Sequence, residues 1–105
     1  MKPEIRSKIQ KRFDEYCSIP ENDKESCLLD GYVDGLNDMK GIEKGVHFPP
    51  YTKIKKRFRK YCLDHREHID VLMKGYLNAL HDAGVIDNVE GFNVSIQKWI
   101  KEYVA

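Results

Sequence analysis

Long apolar runs are missing from this chain. No stretch approaches the roughly 20 consecutive apolar residues that a membrane-spanning helix needs, so no membrane partner is expected. The opening residues, MKPEIRSKIQKRF, hold no apolar segment of the kind a secretory signal carries, which makes the cytoplasm the expected compartment. An excess of one charge is missing too: 18 Lys and Arg stand against 17 Asp and Glu, for a net charge of +1. Cysteine is scarce and odd in number, at three, which argues against a disulfide framework. The P-loop, the Gly-rich dinucleotide fingerprint, HExxH and G-x-S-x-G are all absent from the sequence. Cys62 and His65 have the residue types of a nucleophile and base, but positions i and i+3 of one helix rarely form a concave pocket unaided. A chain of 105 residues is also short for a substrate cleft of a few hundred cubic ångströms. No enzymatic activity and no cofactor are expected.

What the chain does have is a word spelled three times. Residues 9–17 read IQKRFDEYC, 54–62 read IKKRFRKYC, and 96–104 read IQKWIKEYV. Between them lies a second element in two copies, LLDGYVDGLNDM at 28–39 and LMKGYLNALHDA at 72–83. The order is therefore A-B-A-B-A, with successive A elements 45 and then 42 residues apart, within the length range of stacked helical repeats. In the first element Ile5, Ile9, Phe13, Tyr16 and Cys17 recur at helical spacing, as do Tyr51, Ile54, Phe58, Tyr61 and Cys62 in the second. Element B carries Leu28, Tyr32, Leu36 and Met39, matched by Leu72, Tyr76, Leu80 and Ala83. The expected fold is all-α: one domain over 1–105, with about five helices. Repeat 1 covers about 3–42, repeat 2 about 51–86, and a closing helix about 94–104. Two and a half such units fit either a compact bundle or a short α-solenoid.

Local signals sharpen this outline. Pro3 suits a first helical turn. Asn22 or Asp23, Asp64 with Glu67, and Asn93 or Ser95 are the expected N-caps of the first B, second B and closing helices. Gly84 is the expected left-handed residue after the second B helix. The linkers 41–50 and 84–93 both begin with Gly and carry Phe48 and Phe92, expected plugs onto the core. Gly31 matches Gly75, and Gly35 matches Ala79. Small residues four apart inside helices that would prefer Ala imply a close neighbour, expected to be element A. Cys17 and Cys62 share a slot that Val104 fills in the third copy, so both are expected to be small core residues, and Cys27 with them.

Charge patterning supplies the candidate surfaces. Residues 1–45 hold 8 Lys and Arg against 10 Asp and Glu, whereas 46–105 hold 10 against 7. The second A element contains Lys53, Lys55, Lys56, Arg57, Arg59 and Lys60 with no acid among them. The first A element has Asp14 and Glu15 where the second has Arg59 and Lys60, so the fold does not require cations there. Such a helix can lie along phosphates, and Lys11 and Lys98 would extend a ladder with Lys56 if the A helices stack. The bland alternative is a solvated face. Asp30, Asp34 and Asp38 form an acidic row on the first B helix, suited to docking a basic partner or to contact with the basic helix 53–60, either within one chain or between two copies in a homodimer. Trp99 stands where Arg12 and Arg57 stand in the other A elements, either as a seal over the closing helix or as a partner anchor. A zinc site from Cys62, His65 and His68, with His81 or His47, is disfavoured because the first repeat keeps its Cys without any matching His. The expected role is a non-catalytic protein-binding one (inhibitor, adaptor or assembly subunit), with nucleic-acid binding through 53–60 as the alternative.

Overall fold

The apolar periodicity of 3.6 residues produces five α-helices: α1 (Pro3–Cys17), α2 (Cys27–Met39), α3 (Pro50–Asp64), α4 (Ile69–Asp82) and α5 (Val89–Tyr103). They are seen in a computed structural model that describes residues 3–39, 50–64, 66–86 and 89–103. Single 3-10 turns, Lys24–Ser26 and Arg66–His68, lead into α2 and α4. Among the described residues there is no strand, and no helix is long and apolar enough to cross a membrane. The Cα radius of gyration, 13.5 Å, is close to the roughly 13 Å of a compact chain of this size.

Helices α2 and α4 cross at the centre, and glycine sets how closely. A Cβ on Gly31 would run into the carbonyl oxygen of Leu72, and one on Gly75 into that of Leu28. A Cβ on Gly35 would lie 2.6 Å from the Cβ of Ala79. The neighbour that these small residues admit is thus the other B helix, not the expected A helix. The helix-propensity cost of two interior glycines, about 1 kcal/mol each, is offset by the backbone approach that no other residue permits.

Around this crossing the remaining helices pack by their apolar stripes. Helix α1 lies on α2 and α4, while α3 and α5 lie on α4. One core joins Ile54, Phe58, Tyr61, Met73, Tyr76, Leu77, Leu80, Ile96 and Trp99. A second joins Tyr16, Leu28, Tyr32, Val71 and Ala79. Trp99 is buried with its ring centroid 5.4 Å from that of Phe58, a position suited to the seal over the closing helix. Phe92 packs half-buried against the first core from within α5.

The helix ends show where local signals decide and where they do not. Asp23 caps the turn before α2, accepting a 2.9 Å hydrogen bond from the Glu25 amide. Gly84 takes φ +78° after α4. Asp64 instead ends α3, and His68 precedes α4 without a side-chain cap bond, because the turn Arg66–His68 comes between them. Asn93 and Ser95 fall inside α5, which starts at Val89. The apolar pair Val89 and Phe92 continues the stripe one turn earlier than the repeated word. Cys17 is exposed and Cys27 and Cys62 are half-buried, so none is a fully enclosed core residue. Phe48, His47 and His65 lie outside the described residues.

Candidate functional site

Two polar clamps tie the outer helices to the central crossing. In one, Arg57 of α3 donates to Asp38 of α2 through Nε at 3.0 Å and Nη2 at 2.7 Å, while the Tyr76 hydroxyl of α4 donates to the same carboxylate at 2.8 Å. In the other, Arg12 of α1 donates to Asp82 of α4 through Nε at 3.0 Å, and the Tyr32 hydroxyl of α2 donates to Asp82 at 3.0 Å. Each arginine also lies 5.9 Å from the centroid of a tyrosine one turn on, Tyr61 or Tyr16. Tyr61 donates to Asp34 at 2.6 Å, and Tyr16 accepts from Asn78 Nδ2 at 2.8 Å. Bidentate charge-assisted bonds of this kind are about twice as strong as neutral ones.

The protonation equilibria follow from these contacts. Burial pushes the Asp38 carboxyl up, but bonds from Arg57 and Tyr76 and the Arg57 charge outweigh it and hold the pKa below the usual carboxylate value. Asp38 in turn raises the Arg57 pKa. Burial, followed by the adjoining carboxylates, raises the phenol pKa values of Tyr32, Tyr61 and Tyr76 well above the ordinary range. All these groups stay locked in one charge state near neutrality, as in a structural rather than a proton-transferring set.

Beside each clamp lies an open hollow. That on α3 encloses about 400 Å³ between Asp38, Lys53, Lys56, Arg57, Arg59, Lys60 and Leu63. That on α1 encloses about 300 Å³ between Lys8, Lys11, Arg12, Glu15, His81 and Asp82. Among the described residues, the first is bordered by five cations and one carboxylate, the second by three cations and two carboxylates. An apolar face also remains open on α1 and α2, where Phe13 is 36% and Val33 38% exposed.

The basic stretch therefore divides. Arg57 belongs to the clamp, and Lys55 lies 5.6 Å from the centroid of the Trp99 ring. Lys56, Arg59 and Lys60 are exposed and Lys53 half-buried on the outer face of α3. Lys56 lines the hollow on α3, Lys11 lines the other hollow, and Lys98 lines neither. The acidic row divides likewise: Asp34 and Asp38 bind α3 and α4, and Asp30 alone is fully at the surface. Among the described residues, no group of three metal-ligating side chains gathers. Sequence reasoning missed Arg12, Asp82, Tyr32 and Tyr76 as a charged network. The signal for it was present, since Arg12 and Asp82 recur as Arg57 and Asp38 in the matched words. The chain matches no protein-family profile, no curated protein and no solved structure.

Proposed function

We propose that the chain is a single domain made of one helical hairpin used twice and a closing helix, and that it serves as a non-catalytic interaction module. Reciprocal contacts support the internal repeat: Gly31 with Leu72 and Gly75 with Leu28, Arg12 with Asp82 and Arg57 with Asp38. The docking face is the apolar side of α1 and α2, and its occupant is an amphipathic helix from a partner protein.

One observation carries this reading. Phe13 and Val33 are 36% and 38% exposed, whereas their matched residues Phe58 and Leu77 are both 0% exposed. Half-buried Leu29 and Leu36 likewise correspond to Met73 at 1% and Leu80 at 0%. The difference is α5, which brings Ile96, Trp99 and Ile100 to the second pair of helices and has no counterpart on the first among the described residues. The occupant should thus present a large aromatic between aliphatic residues at i, i+3 and i+4 spacing, the helix-in-groove mode. Its flanks should be cationic, because Asp14 and Asp30 border this face where Arg59 and Lys74 stand in the other half.

The test uses a fluorescein-labelled peptide of residues 89–103 titrated into the whole protein. Full burial of such side chains is worth roughly 1.5–3 kcal/mol each, and about a third of that is in play at each open residue; a carboxylate forced into the contact adds its own desolvation cost, so Val33→Glu should weaken binding about tenfold or more while leaving the thermal melt unchanged. Absence of binding at millimolar peptide would sink the proposal. Concentration-dependent dimerisation abolished by Val33→Glu would assign the face to a second copy and overturn the partner helix.

A further inference from the structure

We infer that the hollow on α3 is a phosphate-backbone site for duplex nucleic acid, independent of the apolar face on α1 and α2. The argument rests on the comparison of the two hollows. Lys8, Lys11 and Arg12 in one correspond to Lys53, Lys56 and Arg57 in the other. Glu15 is replaced by Lys60, and Asp14, next to it, by Arg59. Counted over the described residues, the border charge rises from +1, with three cations against two carboxylates, to +4, with five against one. The helix forms equally well with acids at those two positions, as α1 demonstrates. Arg59 and Lys60 are therefore not required for folding, unlike Arg57 in its clamp.

The geometry favours an extended polyanion. Lys53, Lys56 and Lys60 share one face of α3, and seven residues of helix rise about 10 Å, enough to follow successive phosphates. Asp38, the only carboxylate among the described residues that line the hollow, is engaged by Arg57 and Tyr76 and is 11% exposed, so it does not repel an incoming anion. No aromatic ring is among the described residues that line the hollow. Trp99 is buried, and Tyr61 and Tyr76 donate to carboxylates. Single-strand binders stack bases on exposed rings, and the described residues of this surface offer none. It addresses backbone charge alone, which a duplex presents at the highest density and without regard to sequence.

Fluorescence anisotropy with a labelled 20-base-pair duplex between 50 and 200 mM salt tests this. With four cations engaged, log K should fall against log salt with a slope of about −3 to −4. Lys60→Glu, which copies the first hollow, should weaken binding at least tenfold and lower the slope by one or more units. Lys11→Gln should change neither, and Glu15→Lys should strengthen binding. Circular dichroism melts of the variants separate lost binding from lost fold, since Lys60 is exposed. No binding at 50 mM salt, or binding that Lys60→Glu leaves intact, overturns the inference. Tighter binding to a single-stranded homopolymer or to anionic phospholipid vesicles, with Leu63 (86% exposed) inserting, overturns the duplex assignment. The peptide titration in the previous section reads a different face, so failure there leaves this site standing.

Discussion

Replacing Gly31 with Ala sets two effects of opposite sign against each other. Gly31 is interior to α2, and by helix propensity alone Ala would stabilise it by about 1 kcal/mol. The tertiary structure predicts the reverse. The new Cβ would meet the Leu72 carbonyl oxygen far inside contact distance, with the carbonyl carbon at 2.8 Å and Cα at 3.1 Å. These are backbone atoms, so no rotamer change relieves the overlap, and α2 and α4 must separate along their whole crossing. Overpacking costs typically 1–3 kcal/mol, and a backbone collision belongs at the upper end, because gaps of 0.5–1 Å around Leu28, Tyr32, Leu72 and Tyr76 forfeit a quarter to a half of each contact. Subtracting the propensity gain leaves a net loss of about 2 kcal/mol, or a fall of roughly 10 °C in Tm for a domain of this size. Gly75→Ala meets Leu28 in the same way and should cost the same. Thermal and urea unfolding followed by circular dichroism measures both. A Tm that is unchanged or raised in either variant would refute the close crossing, because propensity would then have prevailed.

Two further outcomes follow from the clamps and the thiols. Asp38 titrates below its ordinary 3.8 in the fold, so as pH falls the unfolded chain takes up its proton first. This contribution is intact above about pH 4 and is lost as pH drops through the folded value. Asp38→Asn should flatten the acid limb of a urea-stability profile between pH 5 and 2.5, and an unaltered limb would count against the clamp. At neutral pH the same substitution leaves the partly buried Arg57 with only its longer 3.9 Å contact to Asp34, which costs about 1–3 kcal/mol. For the cysteines, Cys17→Ser should stay within about 0.5 kcal/mol of the parent, as exposed substitutions do, while Cys62→Ser should cost more. Thiol labelling of the native protein should modify Cys17 first, and equal rates at the two sites would contradict their different burial.

The helices were legible in the sequence because each carries its own period of apolar residues, from Ile5 to Tyr16 in α1 and from Leu72 to Leu80 in α4. The need for close approach at Gly31 and Gly75 was legible too. The identity of the neighbour was not, because a missing side chain reveals the demand for space and not what occupies it. The charged stretches were legible in part. Contact of the acidic row with the basic helix within one chain was one expected reading, and Arg57 with Asp38 makes it; that Tyr61 and Tyr76 join the same carboxylates was not legible, because only the crossing of α2 with α4 brings them there. Cys17 and Cys62 share a sequence slot, yet α5 covers the neighbourhood of one and not the other. Periodicity reports the direction of a side chain, and burial depends on whether a further element lies in that direction.

The clamps reach across the molecule, and this has a consequence for how it unfolds. The acceptor for Arg12 and Tyr32 is supplied by Asp82, and the acceptor for Arg57 and Tyr76 by Asp38. If residues 50–82 came apart while 3–39 held, Arg12 and Tyr32 would lose their carboxylate and Asp38 both of its donors. The mirror event would strand Asp82. Neither half can therefore persist as a stable intermediate, and loss of one drags the other with it, so the two halves are expected to melt as a single cooperative unit.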